Sequence, residues 1–163
     1  MEKPEYENCP LDSFGEKFLA GLMLFKKQIA FMEGPSLVIL KEEVKSFKGK
    51  RIIAVSGNTK TEKERCKNKT VRDFKSWGKH FLICFDDFFI RIHFLMFGSY
   101  RVNEAREERE PRLQLVFKNG ELNFYSCSVK IIEGNADDIY DWSGDVMSDE
   151  WDPSKALKKL NSL

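Results

Sequence analysis

The sequence has almost no net charge. Over 163 residues the formal balance is +1, so total charge carries none of the signal expected of a strongly basic nucleic-acid binder. No apolar run approaches the ~20 residues of a membrane span. The chain opens with Glu2, Glu5 and Glu7, where a secretory signal would be basic. Its four cysteines, Cys9, Cys66, Cys84 and Cys127, are widely spaced with no C-x-x-C pair. That spacing gives no signal for zinc, and no metal or cofactor is expected in this chain. Cys84 lies in an apolar run and reads as a buried free thiol, which suits a reducing cytoplasm. No internal repeat is visible, and the composition is not that of a disordered chain.

What is present points to strands. Hydrophobic residues make up 42% of the chain, with 14 phenylalanines, and aromatics favour pleated, half-buried surfaces. The charge is polarised along the sequence. Thirteen basic residues lie between Lys41 and Lys79 against five acids, a local balance of +8. Between Glu133 and Asp152 there are eight acids and no base. One reading is a basic half that faces phosphate while the acidic end faces elsewhere; the other is two solvated faces of opposite bias.

Along the chain, residues 1–31 read as a separate extension. Phe14, Phe18, Leu22 and Phe25 sit at helical spacing, weakened by Gly15 and Gly21. After Gly34-Pro35, the residues Leu37, Leu40, Val44 and Phe47 predict an amphipathic helix from Ser36 that ends at Gly49. Strands follow over 51–56, 70–77, 80–85, 88–94, 99–103, 112–117, 121–125 and 128–132, with hairpins at Asp86-Asp87 and Asn119-Gly120. Seven or eight short strands imply a mainly β fold with flanking helices, a two-sheet antiparallel sandwich or barrel. The stretch from Glu133 to Glu150 reads as an acidic loop. Asp152-Pro153 reads as a cap and first turn of a helix over 154–163. The chain stops as that helix begins, so 151–163 reads as the start of a further helical module.

Several stretches together resemble the Fpg/Nei family of DNA glycosylases. Met32-Glu33-Gly34-Pro35-Ser36 resembles the family's M-P-E-G-P start. Ser76 to Leu82 (S-W-G-K-H-F-L) resembles its R-x-G-K-x-L-L segment, and Ile92 to Ser99 (I-H-F-L-M-F-G-S) its I-H-L-G-M-S-G-S segment. Arg112-Leu113 and the Asn119-Gly120 hairpin fall where the next strand pair is expected. The resemblance spans about Met32 to Leu163 and implies the family's N-terminal β-sandwich over 32–150. It also implies excision of damaged bases from double-stranded DNA and nicking at abasic sites. An N-terminal proline amine would attack C1′ of the damaged nucleotide, and the next glutamate would move protons. By the same resemblance Glu33 is the acid/base glutamate and Lys79 the lysine that meets phosphate near the lesion. Met96 is the wedge that enters the gap the flipped base leaves in the stack, and His93 a phosphate contact. Read without the family, Glu33 would favour the helix N-terminus by about 0.5 kcal/mol. Lys79 would be a surface lysine, Met96 a core residue between Leu95 and Phe97, and His93 a satisfied structural histidine.

The sequence also departs from the family. Met32 stands where the nucleophilic proline is expected, and the thirty-one residues before it make its nitrogen an amide, whose lone pair is lost to peptide resonance. The family's D-P-R-R-F-G stretch corresponds to Tyr125-Ser126-Cys127-Ser128-Val129-Lys130, without its arginines. The helix–two-turn–helix and zinc-finger modules find no counterpart, and neither does the finger's zinc. The expectation is therefore a glycosylase-type domain catalytically incomplete by itself. Two alternatives remain: a non-catalytic DNA-binding module on the same fold, and a β-sandwich that contacts proteins.

Overall fold

The computed structural model describes residues 33–161. The helix expected within residues 13–31, and Cys9 and Met32, lie outside them. Helix α1 (Gly34–Glu43) starts with Pro35 in its first turn and buries Leu37 and Leu40. The helical pattern continues to Phe47 as expected, but as a 3₁₀ turn over Lys45–Phe47 that buries Phe47. Six strands follow: β1 (Ile52–Ser56), β2 (Asp73–Trp77), β3 (His80–Cys84), β4 (Phe88–Val102), β5 (Leu113–Phe117) and β6 (Gly120–Glu133). They form one antiparallel sheet in the order β1-β5-β6-β4-β3-β2.

The sandwich arises because this single sheet folds over on itself. Phe81 pairs with Ile92 and Ile92 with Val129. Phe124 lies five residues along β6 from Val129, so on a flat sheet it would sit about 19 Å from Phe81. The two rings are instead 6.1 Å apart. Phe81, Ile83, Ile90, Ile92, Phe94, Leu115, Phe117 and Phe124 thus share one buried core with Leu37, Leu40 and Phe47 from the N-terminal helical segment. The short strands expected at 99–103 and 128–132 are not separate. They are the far ends of β4 and β6, which run through both layers, so the count is six rather than seven or eight.

The 133–150 segment is not a free loop. Helix α2 (Ala136–Ile139), capped by the Asn135 side chain, and a 3₁₀ turn at Trp142–Gly144 dock on the outer face. There Ala136 and Tyr140 cover Leu82, Cys84 and Phe89. Helix α3 (Pro153–Leu160) begins as expected, with Asp152 Oδ1 accepting from Ser154 N at 2.9 Å. No helix among the described residues is long and apolar enough to cross a membrane.

Candidate nucleic-acid interface

The β2–β3 hairpin closes on the Trp77–His80 pair, leaving Gly78 and Lys79 as its two-residue turn. Gly78 has φ +53°, in the left-handed region that glycine adopts without a Cβ penalty. The turn presents Lys79 beside the N-terminus of α1, where its Nζ lies 2.9 Å and 2.8 Å from the two carboxylate oxygens of Glu33. Forty-six positions apart in sequence, the two residues form one exposed ion pair. Glu33 does not cap the helix with its side chain, so its carboxylate is committed to Lys79.

A buried carboxylate holds the turn from behind. Asp145 is 6% exposed. Its Oδ2 accepts from Gly78 N at 3.1 Å, and its Oδ1 from Met147 N at 3.0 Å. Sequence reading placed Asp145 in a solvated acidic loop and missed it. The only signal available was a lone Asp two residues before an apolar Met.

Further along β4 the ladder breaks. Phe94 pairs with Cys127 and Ser99 with Tyr125, so four residues, Leu95 to Gly98, stand opposite Ser126 alone, which sits at φ 47°. The extra residues are thrown out as a knuckle. Leu95, Met96 and Phe97 are 54%, 65% and 74% exposed. Gly98 closes the knuckle tightly, since an added Cβ would lie 2.6 Å from Phe94 Cβ and 2.9 Å from Leu95 O. Met96 is therefore solvent-facing, not the core residue its apolar neighbours suggest. Leu95 and Phe97, which sequence reading passed over, share its exposure. His80 and His93 are cross-strand partners. The Lys79 turn and the knuckle consequently leave the same end of the β3–β4 hairpin.

His93 lies on the outer face, its ring 5.6 Å from that of His80. Its Nδ1 is buried and has no partner among the described residues. Tyr140 Oη lies 3.3 Å from His80 Nδ1. Burial, with Arg91 and His93 nearby, holds His80 below its ordinary value.

Much of the basic run is already met by carboxylates. Among the described residues, seven of its thirteen cations are ion-paired: Lys45 with Glu42, Lys48 with Asp73, Arg65 with Glu133, Lys69 with Asp87, Arg72 with Asp86, Lys75 with Asp137 and Lys79 with Glu33. Glu133 and Asp137 belong to the acidic segment, so the two poles of the sequence meet in the fold. Their cations hold Asp86, Asp87, Glu133 and Asp137 below the ordinary carboxylate range.

Cys66, Cys84 and Cys127 are free and buried. Burial pushes Cys84 up to about 11, and Cys66 and Cys127 up to about 12, as for inert core thiols. No cluster of three metal-ligating side chains occurs among the described residues.

Comparison with known proteins agrees with this architecture. Three solved structures of Lactococcus lactis Fpg are similar to the chain at 24% identity. The wild-type enzyme with DNA containing N7-benzyl-Fapy-dG gives a TM-score of 0.56, covering 62% of this chain and 44% of that one. The same enzyme bound non-covalently to DNA with an abasic site gives 0.56, covering 62% and 45%. A mutant with Fapy-dG DNA gives 0.58, covering 66% and 45%. The chain thus spans less than half the length of these proteins. No curated protein sequence matches it. Residues 33–127, from the ion-paired glutamate through β6 to Cys127, match the formamidopyrimidine-DNA glycosylase N-terminal domain, and the chain belongs to that family.

Proposed function

We propose that this domain grips damaged double-stranded DNA at the hairpin end and does not itself carry out Schiff-base chemistry. One observation carries the reading: three consecutive large apolar side chains stand in solvent at the hairpin end that also bears the Lys79–Glu33 pair. Exposed apolar surface of this kind marks an interaction site. An apolar tip flanked by polar groups suits a base stack opened by a flipped nucleotide. In this reading Met96, with Leu95 and Phe97, fills the vacated space. Lys79 leaves Glu33 to meet a phosphate beside the lesion, and His93 meets another. The similar structures bound to lesion-containing and abasic DNA support the choice of ligand.

Base excision with strand nicking needs an amine with a free lone pair. Met32 stands at the expected position, and its nitrogen is bonded to the Phe31 carbonyl, where resonance withdraws the lone pair. The Lys79 side chain is engaged by the Glu33 carboxylate. Glu33 keeps the chemistry of a proton carrier without a nucleophile beside it.

The test is incubation with end-labelled duplex DNA carrying one abasic site, with borohydride added, beside affinity measured against salt. We expect affinity that falls steeply with salt and no trapped covalent complex. A trapped complex would show that some amine of this chain serves as nucleophile. Affinity that is absent or indifferent to salt would overturn the DNA reading in favour of a protein-contact surface.

A further inference from the structure

The sulfur atoms of the domain are unequally placed. Cys66, Cys84 and Cys127 are free but buried. Peroxide attacks the thiolate rather than the thiol, and burial keeps these three groups protonated. Met147 is 40% exposed. Its Cγ lies 3.6 Å from where a Cβ on Gly34 would stand, so its side chain packs on the first turn of α1. Met96 is 65% exposed at the crest of the knuckle, between Leu95 and Phe97. Among the described residues it carries the most open sulfur.

A thioether needs no ionisation to react. Its sulfur lone pair attacks one oxygen of hydrogen peroxide, and an S–O bond forms as the O–O bond breaks. The departing hydroxide takes the proton from the transferred oxygen and leaves as water. Sulfur loses two electrons and the peroxide gains them. The product is a sulfoxide, polar and chiral where the thioether was apolar.

We infer that Met96 is an oxidative modification site, and that a peroxide-class oxidant weakens the grip of the knuckle by converting its thioether to the sulfoxide. The loss of grip rests on the function proposed above; the reactivity of Met96 does not. The neighbours explain the sensitivity. Leu95 and Phe97 are inert to peroxide, so one oxygen atom enters the middle of an otherwise apolar tip. A sulfoxide oxygen pushed into a base stack must shed its water, and neither neighbour brings a donor to replace it. The core is left alone, because Leu95 to Gly98 stand outside the ladder opposite Ser126.

The test treats the full chain with hydrogen peroxide and maps the oxidised residues by mass spectrometry. Affinity for duplex DNA carrying an abasic site is measured before and after. We expect Met96 to be oxidised ahead of Met147 and the thermal midpoint to stay unchanged. Affinity should fall by about fivefold or more, the equivalent of one unmet buried acceptor. Methionine sulfoxide reductases A and B, which take one sulfoxide epimer each, should restore it. Each variant is compared with its own untreated form. Peroxide should leave the affinity of Met96→Leu where it began, and should weaken Met147→Leu as it weakens the wild type. Met147 oxidised before Met96, Met96 oxidised without loss of affinity, or an equal loss in Met96→Leu would each overturn the inference. No DNA affinity in the untreated chain would instead sink the DNA reading, and the mapped order of oxidation would still decide whether Met96 is the modification site.

Discussion

Two regions of this domain obey opposite rules. On the flank formed by residues 63–75, the β3–β4 turn and the acidic segment, the charges are matched: Arg65, Lys69, Arg72 and Lys75 each meet a carboxylate. At the hairpin end the rules lapse together. Large apolar groups are exposed at Leu95, Met96 and Phe97, cations face each other at Arg91 and Lys130, and a buried imidazole nitrogen has no partner among the described residues. A fold tolerates such conflicts where a ligand resolves them. The number of charges in a region therefore says less about its partner than whether the fold has already satisfied them.

The contrast is sharpest between two phenylalanines. Phe124, fully buried where the layers meet, should cost about 3–5 kcal/mol when replaced by alanine, read as a lowered denaturation midpoint. Phe97→Ala should change stability by less than about 0.5 kcal/mol while weakening binding to abasic DNA. Equal stability losses in the two variants would mean the knuckle is structural, and the comparison would collapse.

Asp145 tests whether the hairpin end depends on what lies beneath it. Asp145→Ala strands the amides of Gly78 and Met147, at about 1–3 kcal/mol for unmet buried donors. Urea unfolding measures that loss. Because the Gly78-Lys79 turn is then released, DNA affinity should fall as well. Unchanged affinity in a destabilised variant would leave Asp145 a purely structural residue.

Much of this was legible in local sequence. The spacing of Leu37, Leu40, Val44 and Phe47 gave the helical segment, and Asp86-Asp87 and Asn119-Gly120 gave two hairpins, because periodicity and turn chemistry are short-range. The folding-over of the sheet was not legible, since it depends on Phe81 meeting Phe124. Nor was the continuity of β6, because Tyr125-Ser126-Cys127-Ser128 reads as a break although the strand passes through it with Ser126 at positive φ. Charge misled most. Arg65 and Lys75 lie 68 and 62 positions from their partners, so no window along the chain shows them neutralised. Arg91 looked like one charge in an apolar strand until register set it opposite Lys130.

The smallest effect separates the two regions by pH. On the flank, Asp86, Asp87, Glu133 and Asp137 have folded-state values lowered by hydrogen-bonded cations. Their contribution is present above the unfolded carboxylate values, about 4, and fades only as pH falls below that. His80 also has a lowered value, chiefly from burial, but for a histidine this means the fold disfavours the charged form. Below about 6.5 the unfolded chain takes up a proton that the folded chain resists, so stability declines as pH falls from there through the lowered folded value. Thermal melts between pH 7 and pH 5 should show a small loss that His80→Gln removes, with the flank untouched until stronger acid. If His80→Gln retains the full decline, proton uptake in this window lies elsewhere, and the electrostatic contrast between flank and hairpin end fails at its most sensitive point.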